Sequence, residues 1–146
     1  MSDVLCGPYV LTRVLIRGDR SGARPSLHEA HDAGLFLFAR TWPRSGGLRD
    51  LTGFWNLEAR TLLRLGGYPR AEDYFVQLRD LGTTDEHYFV ILDAGERYPI
   101  SILRSDPTRS SSLRNFRQPA GRRFLWQGLR KLATGLGILH GEGTLH

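Results

Sequence analysis

One carboxylate stands where an apolar side chain belongs. Leu51, Phe54, Trp55, Leu62 and Leu65 recur with the spacing of one helical face, and the slot left in that stripe, position 58, holds Glu58. A carboxylate buried there needs a cation or hydrogen-bond donors, or its desolvation costs several kcal/mol. At the edge of the stripe it would face water instead. Two histidines, His28 and His31, are spaced H-x-x-H around Glu29. No further Cys or His clusters near them, so a tetrahedral metal shell would be incomplete and no metal is expected. A turn rich in small residues, Ile16-Arg17-Gly18-Asp19-Arg20-Ser21-Gly22, could bring backbone amides close to phosphate or could be an ordinary hairpin turn. The chain has no G-x-S-x-G and no G-x-G-x-x-G that opens a helix after a strand. Hydrolase and dinucleotide-binding readings therefore lack their motifs.

Bulk properties narrow the field further. The 146 residues suit one domain, and no run of eighteen apolar residues offers a membrane span. The N-terminal MSDVLCGPYV lacks the charged start and apolar core of a secretory signal. Cys6 is the single cysteine, which excludes an intrachain disulfide and fits a reducing cytoplasm. The net charge is +5, carried by arginine with Lys131 as the one lysine. Arg104, Arg109, Arg114, Arg117, Arg122 and Arg123 form a loose series. No aromatic residues alternate with them as stacking platforms, which argues against nucleic acid as a partner.

The elements that must position Glu58 follow from the local pattern. Residues 8–16 (PYVLTRVLI), 27–31 (LHEAH) and 35–42 (LFLFARTW) read as three strands of an antiparallel meander. After a loop at Ser45-Gly46-Gly47, Asp50 or Thr52 caps the helix that carries Glu58. Gly66-Gly67 and Pro69 end it. Residues 74–81 (YFVQLRDL) and 87–92 (HYFVIL) read as strands joined by a hairpin loop over 82–86. Residues 98–103 read as a short strand or one helical turn, and 105–121 as a polar loop. From Phe124 a last helix places Leu125, Leu129, Leu132, Leu136 and Leu139 on one face, widened by Trp126 and Ala133 and stopped at Gly141.

The order is three strands, helix, two strands, linker, helix, an α+β arrangement. The last helix runs into L-H-x-x-G-x-x-H, from Leu139 through His140 and Gly143 to His146. In order, spacing and this motif, residues 9–146 resemble a bacterial, eukaryotic-like Ser/Thr protein kinase domain. FWNLEARTLLRLGGYPRAEDYFV and Trp42-Pro43 look similar to kinases of bacterial anti-phage loci. The resemblance implies a five-stranded antiparallel sheet with one αC-type helix, then a linker and one long C-lobe helix. All of 1–146 would be a partial kinase-like domain, with an N-lobe over 9–92, a hinge over 93–97 and an incomplete C-lobe start over 98–146.

The resemblance also implies roles. In that family the helix glutamate pairs with a strand lysine that holds the α- and β-phosphates. Arg40, in Phe38-Ala39-Arg40, stands at the lysine's place, so an Arg40–Glu58 pair is implied. Gly18 matches the second glycine of the family's phosphate loop, Ile16 replaces the first, and Ser21 with Gly22 stands near the third. Leu92 would line the back of an adenine pocket, with the carbonyl of Asp93 and the amide of Gly95 at the adenine edge. ATP with magnesium is the implied ligand. His146 resembles the first residue of the catalytic loop, whose aspartate base and metal ligands would follow it. The 146 residues are therefore expected to bind without catalysing, and no catalytic residue is assigned. The alternative expectation is a pseudokinase-like interaction module. Its apolar helix over 124–140 would meet a protein partner or the rest of a C-lobe.

Overall fold

The computed structural model of the chain describes residues 4–19, 21, 23–44, 51–95, 97 and 117–143. Gly22, the loop at 45–47, Asp50, residues 98–103 and His146 lie outside the described residues. The described chain divides into two compact units. The first runs to Ala71 and resumes over Val76–Gly95, and the second comprises Glu72–Phe75 and the chain beyond Gly95.

The first unit is built on one antiparallel sheet. Its strands are β1 (Val4–Cys6), β2 (Tyr9–Ile16), β3 (Ser26–Asp32), β4 (Leu35–Pro43), β5 (Gln77–Thr83) and β6 (His87–Asp93). They lie in the order β1-β2-β3-β4-β6-β5. The sequence pattern leads to five strands, and the sheet has six. The additional strand is only three residues long, too short to show alternation, and pairs with β2 through a turn in which Gly7 takes φ +63°. The later hairpin also differs from expectation. Ala71–Asp73 forms a 3-10 turn, so β5 begins at Gln77 and not at 74. Tyr74 and Phe75 instead pack on each other edge to face.

The sheet is strongly curled. Between β2 and β5 lie three strands, so in a flat sheet they would stand roughly 19 Å apart, at about 4.8 Å per strand. Yet the Tyr9 hydroxyl of β2 donates to Asp80 Oδ2 of β5 at 3.0 Å. The Tyr9 and Phe89 rings also meet at 6.5 Å. Curling closes a core of Cys6, Tyr9, Leu11, Ala30, Leu37, Ala39, Phe89 and Ile91. Leu11, Ala30 and Leu37 form one register row across β2, β3 and β4.

Strand β4 is central and covered on both sides. Leu37, Ala39 and Thr41 face the closed core, and Phe38, Arg40 and Trp42 alternate with them toward the other face. That other face receives α1 (Thr52–Gly66). Trp55 stacks on Tyr88, centroids 5.4 Å apart, and its indole N–H donates to the Phe89 carbonyl at 2.9 Å. Such a stacked pair adds about 0.5–1.5 kcal/mol beyond its burial. Thr52 does not cap the helix. The N-cap position is Leu51, which makes no side-chain cap bond, and the Thr52 hydroxyl donates to Tyr88 Oη at 2.9 Å. Tertiary packing holds this helix start in place of a cap.

In the second unit α2 spans Pro119–Gly141. It starts five residues before Phe124, with Pro119 in the first turn where a missing N–H costs nothing. Gly141 is the last helical residue, and the left-handed turn falls at Gly143, φ +68°. The residues the helix buries are Gly121 and Gly135, not its leucines. Gly135 lies against Tyr74 and Phe75. The Arg97 guanidinium donates to the carbonyls of Phe75 and Glu72, tying that short segment down. No helix among the described residues is long and apolar enough to cross a membrane.

The core predicts its own weak point. Ile91 is fully buried at the centre of β6. Ile91→Ala should lower unfolding free energy by about 2–5 kcal/mol, read from the urea midpoint. A change below about 1 kcal/mol would mean that the curled core is not the stabilising one.

Candidate functional site

Strand alternation brings Arg40 and Trp42 to the face that α1 covers, and the helical stripe brings Glu58 to meet them. The Arg40 guanidinium donates through Nη1 to Glu58 Oε1 in a strand-to-helix ion pair. The Arg40 side chain is 36% exposed and that of Glu58 17%. One nitrogen meets one oxygen, so this is not the two-pronged fork that arginine can make with a carboxylate. The rest of the guanidinium lies over the Trp42 ring, 5.8 Å from its centroid. Burial holds the Glu58 carboxyl above the ordinary carboxylate range, against the opposing pull of the Arg40 charge and hydrogen bond.

A cavity of about 330 Å³ opens at this pair. Ala23 and Pro25 from the β2–β3 turn, Phe54 and Leu62 from α1, and Trp42 line it together with the ion pair. Trp42 is 1% exposed, and its indole N–H is sealed from solvent with no hydrogen-bond partner among the described residues. Nothing in the helical or strand periodicity singles out that N–H. The signal available was its place two residues after Arg40, hence on the same face.

The glycine-containing turn organises itself. Asp19 Oδ1 accepts from the Ser21 hydroxyl at 2.9 Å and from the Arg24 amide at 3.3 Å. Ser21 Oγ accepts from the Ala23 amide at 3.3 Å, and Ser26 Oγ from the Gly18 amide at 2.9 Å. These amides already have partners, and one of them is a carboxylate. Space alone holds position 18 to glycine: a Cβ there would lie 2.6 Å from the Arg24 carbonyl oxygen. Short Asp and Ser side chains that bond to nearby amides are a known turn device, legible in Asp19-Arg20-Ser21.

Leu92 is buried in β6, in register with Phe38. Asp93 closes the strand, and its Oδ1 accepts from the Gly95 amide at 2.9 Å. Gly95 adopts φ +58° there. The residues of the implied nucleotide site therefore fall into two groups. Arg40 and Glu58 touch each other beside the self-bonded turn of Gly18 and Ser21. Leu92, Asp93 and Gly95 lie at the far end of β6, with the Gly95 amide already engaged.

The two histidines are placed apart by their strand. Three residues of separation in β3 put them on opposite faces. His28 Nε2 pairs with Thr41 Oγ1 at 3.1 Å, and His31 packs edge to face on Phe36. Burial, aided by His87, pushes the His28 pKa down. No group of three metal-ligating side chains occurs among the described residues. Cys6 is buried, and burial pushes its thiol up to about 11, away from the thiolate that reacts. No protein-family model matches the chain, and no curated protein matches it.

The raised Glu58 pKa has a definite sign in stability. The folded chain keeps the Glu58 proton at pH values where the unfolded chain, at the ordinary 4.5, has lost it. The stability from this group is thus full below 4.5 and is lost as pH rises through the folded pKa. Glu58→Gln removes the titration. The melting temperature of the wild type minus that of the variant should fall between about pH 4 and pH 8. A difference that rises with pH would mean that the Arg40 charge outweighs burial.

Proposed function

We propose that the chain is the nucleotide-binding part of a Ser/Thr protein-kinase-like domain, with Arg40 as the cation that holds phosphate and Glu58 as the helix residue that positions it. The observation that carries this reading is the strand-to-helix pair. Two residues eighteen apart in sequence, chosen by the order of elements, meet with the guanidinium still partly open to a ligand. The antiparallel sheet with one helix inserted between β4 and β5 supports the same reading.

The ligand is ATP with magnesium. Arg40 supplies charge and planar donors where a lysine would supply a point charge, so it binds phosphate oxygens side-on. The phosphate contact is carried by Arg40, with the turn of Gly18 and Ser21 beside it, where the amides of Gly18, Ala23 and Arg24 are bonded to Ser26, Ser21 and Asp19. Adenine would sit beside Leu92 and compete with Asp93 for the Gly95 amide. The setting is the cytoplasm, where ATP is abundant and the thiol of Cys6 stays reduced.

A second reading, a non-catalytic protein-interaction module, is favoured by α2. Phe124, Trp126, Leu129 and Leu132 are between 43% and 68% exposed along that helix. In this reading the Arg40–Glu58 pair only fastens α1 to the sheet.

Thermal-shift titration with Mg-ATP separates the two. Binding to the folded form alone raises the melting temperature, by roughly 8 °C at a hundredfold excess over Kd. Arg40→Ala should abolish the rise, and Arg40→Lys should keep it. No shift up to millimolar ATP overturns the nucleotide reading and leaves the interaction module.

A further inference from the structure

We infer that the cavity between β4 and α1 is a binding site for a small apolar carboxylate, such as an arylalkanoic acid, held by the donors of Arg40 and Trp42. This site does not depend on the nucleotide reading, although both use Arg40.

Three observations converge on it. The first is the donor set. Arg40 spends one nitrogen on Glu58, and Trp42, on the same strand face two residues on, carries a buried N–H without an acceptor. A buried donor left unpaired is costly, and native structures rarely leave one without a reason. The second is the wall chemistry. Pro25, Phe54, Leu57 and Leu62 present an apolar lining, yet Phe54 is 39% and Leu57 64% exposed. An apolar body seated there would remove that surface from water. The third is size. About 330 Å³ lies at the small end of ligand sites, room for one ring and a short acid tail.

A carboxylate head suits one partly open guanidinium, and an apolar body suits the lining. The ligand head first meets the exposed part of the Arg40 guanidinium. The indole N–H, sealed from water, is reached only on local opening of the cavity wall.

The probe is 3-phenylpropionate, with the neutral 3-phenylpropionamide as its control. The chain has three tryptophans, so its NMR spectrum holds three indole N–H signals, assigned by Trp→Phe substitution. The acid should move the Trp42 signal, and the amide should bind at least about tenfold more weakly. Trp42→Phe should weaken the acid roughly fivefold. Leu62→Trp, which fills the cavity, should abolish acid binding. Loss of the ATP shift alone would sink the nucleotide reading and not this one. Equal binding of acid and amide, or no movement of the Trp42 signal at about 10 mM acid, overturns the inference.

Discussion

Strand β4 is covered on both faces, and the rest of the first unit follows from that constraint. One set of alternate residues closes the curled core and must be small or apolar: Leu37, Ala39 and Thr41. The other set lies under α1 and has the same requirement, except at Arg40. A guanidinium in that position is only partly open to solvent and takes a carboxylate from the covering element. Glu58 is that carboxylate, and it fixes which turn of α1 crosses β4. Without the pair, the register of the helix on the sheet would rest on contacts near its start, among them the Trp55–Tyr88 stack and the Trp55–Phe89 and Thr52–Tyr88 hydrogen bonds.

The pair is a device of position more than of stability. Burial raises the Glu58 pKa in spite of its partner, which means that desolvation of the carboxylate outweighs the Coulombic gain. A hydrophobic pair of equal volume would hold helix to sheet at least as well. What a charged pair adds is a single register and a cation kept at a known place. The turn between β2 and β3 makes the complementary choice. Among its described residues the amides of Gly18, Ala23 and Arg24 are satisfied internally by Ser26, Ser21 and Asp19, and Ala23 and Pro25 contribute walls to the cavity.

Much of this was legible in the sequence, and the misses share a cause. Glu58 stood out because a 3.6-residue period leaves one slot and a charge fills it. Strands β2, β3, β4 and β6 announced themselves as β-rich runs between turn residues. What failed was local inference about ends, where tertiary contacts overrule the chain's own signals. Thr52 looks like a cap and instead bonds to Tyr88 from another strand. Tyr74 and Phe75 look like strand residues and instead sit beside Gly135 of α2. The five-leucine stripe of α2 looks like a buried face, yet the residues the helix buries are Gly121 and Gly135, the latter against Tyr74 and Phe75. Strand β1 was invisible because three residues carry no period.

Two tryptophans at one interface show where periodicity stops being informative. Trp42 and Trp55 both lie between the sheet and α1, and both are apolar by any pattern. Their difference is a single hydrogen bond. The Trp55 N–H meets the Phe89 carbonyl, and the Trp42 N–H meets nothing among the described residues. An indole used only for packing could be replaced by a phenyl ring with no donor to satisfy. The Trp42 N–H therefore stands out as a buried donor without an acceptor at an interface where the other indole has one, and the cavity that Trp42 lines is the space in which the proposed carboxylate would supply it. Polar satisfaction of this kind requires coordinates and cannot be read from spacing.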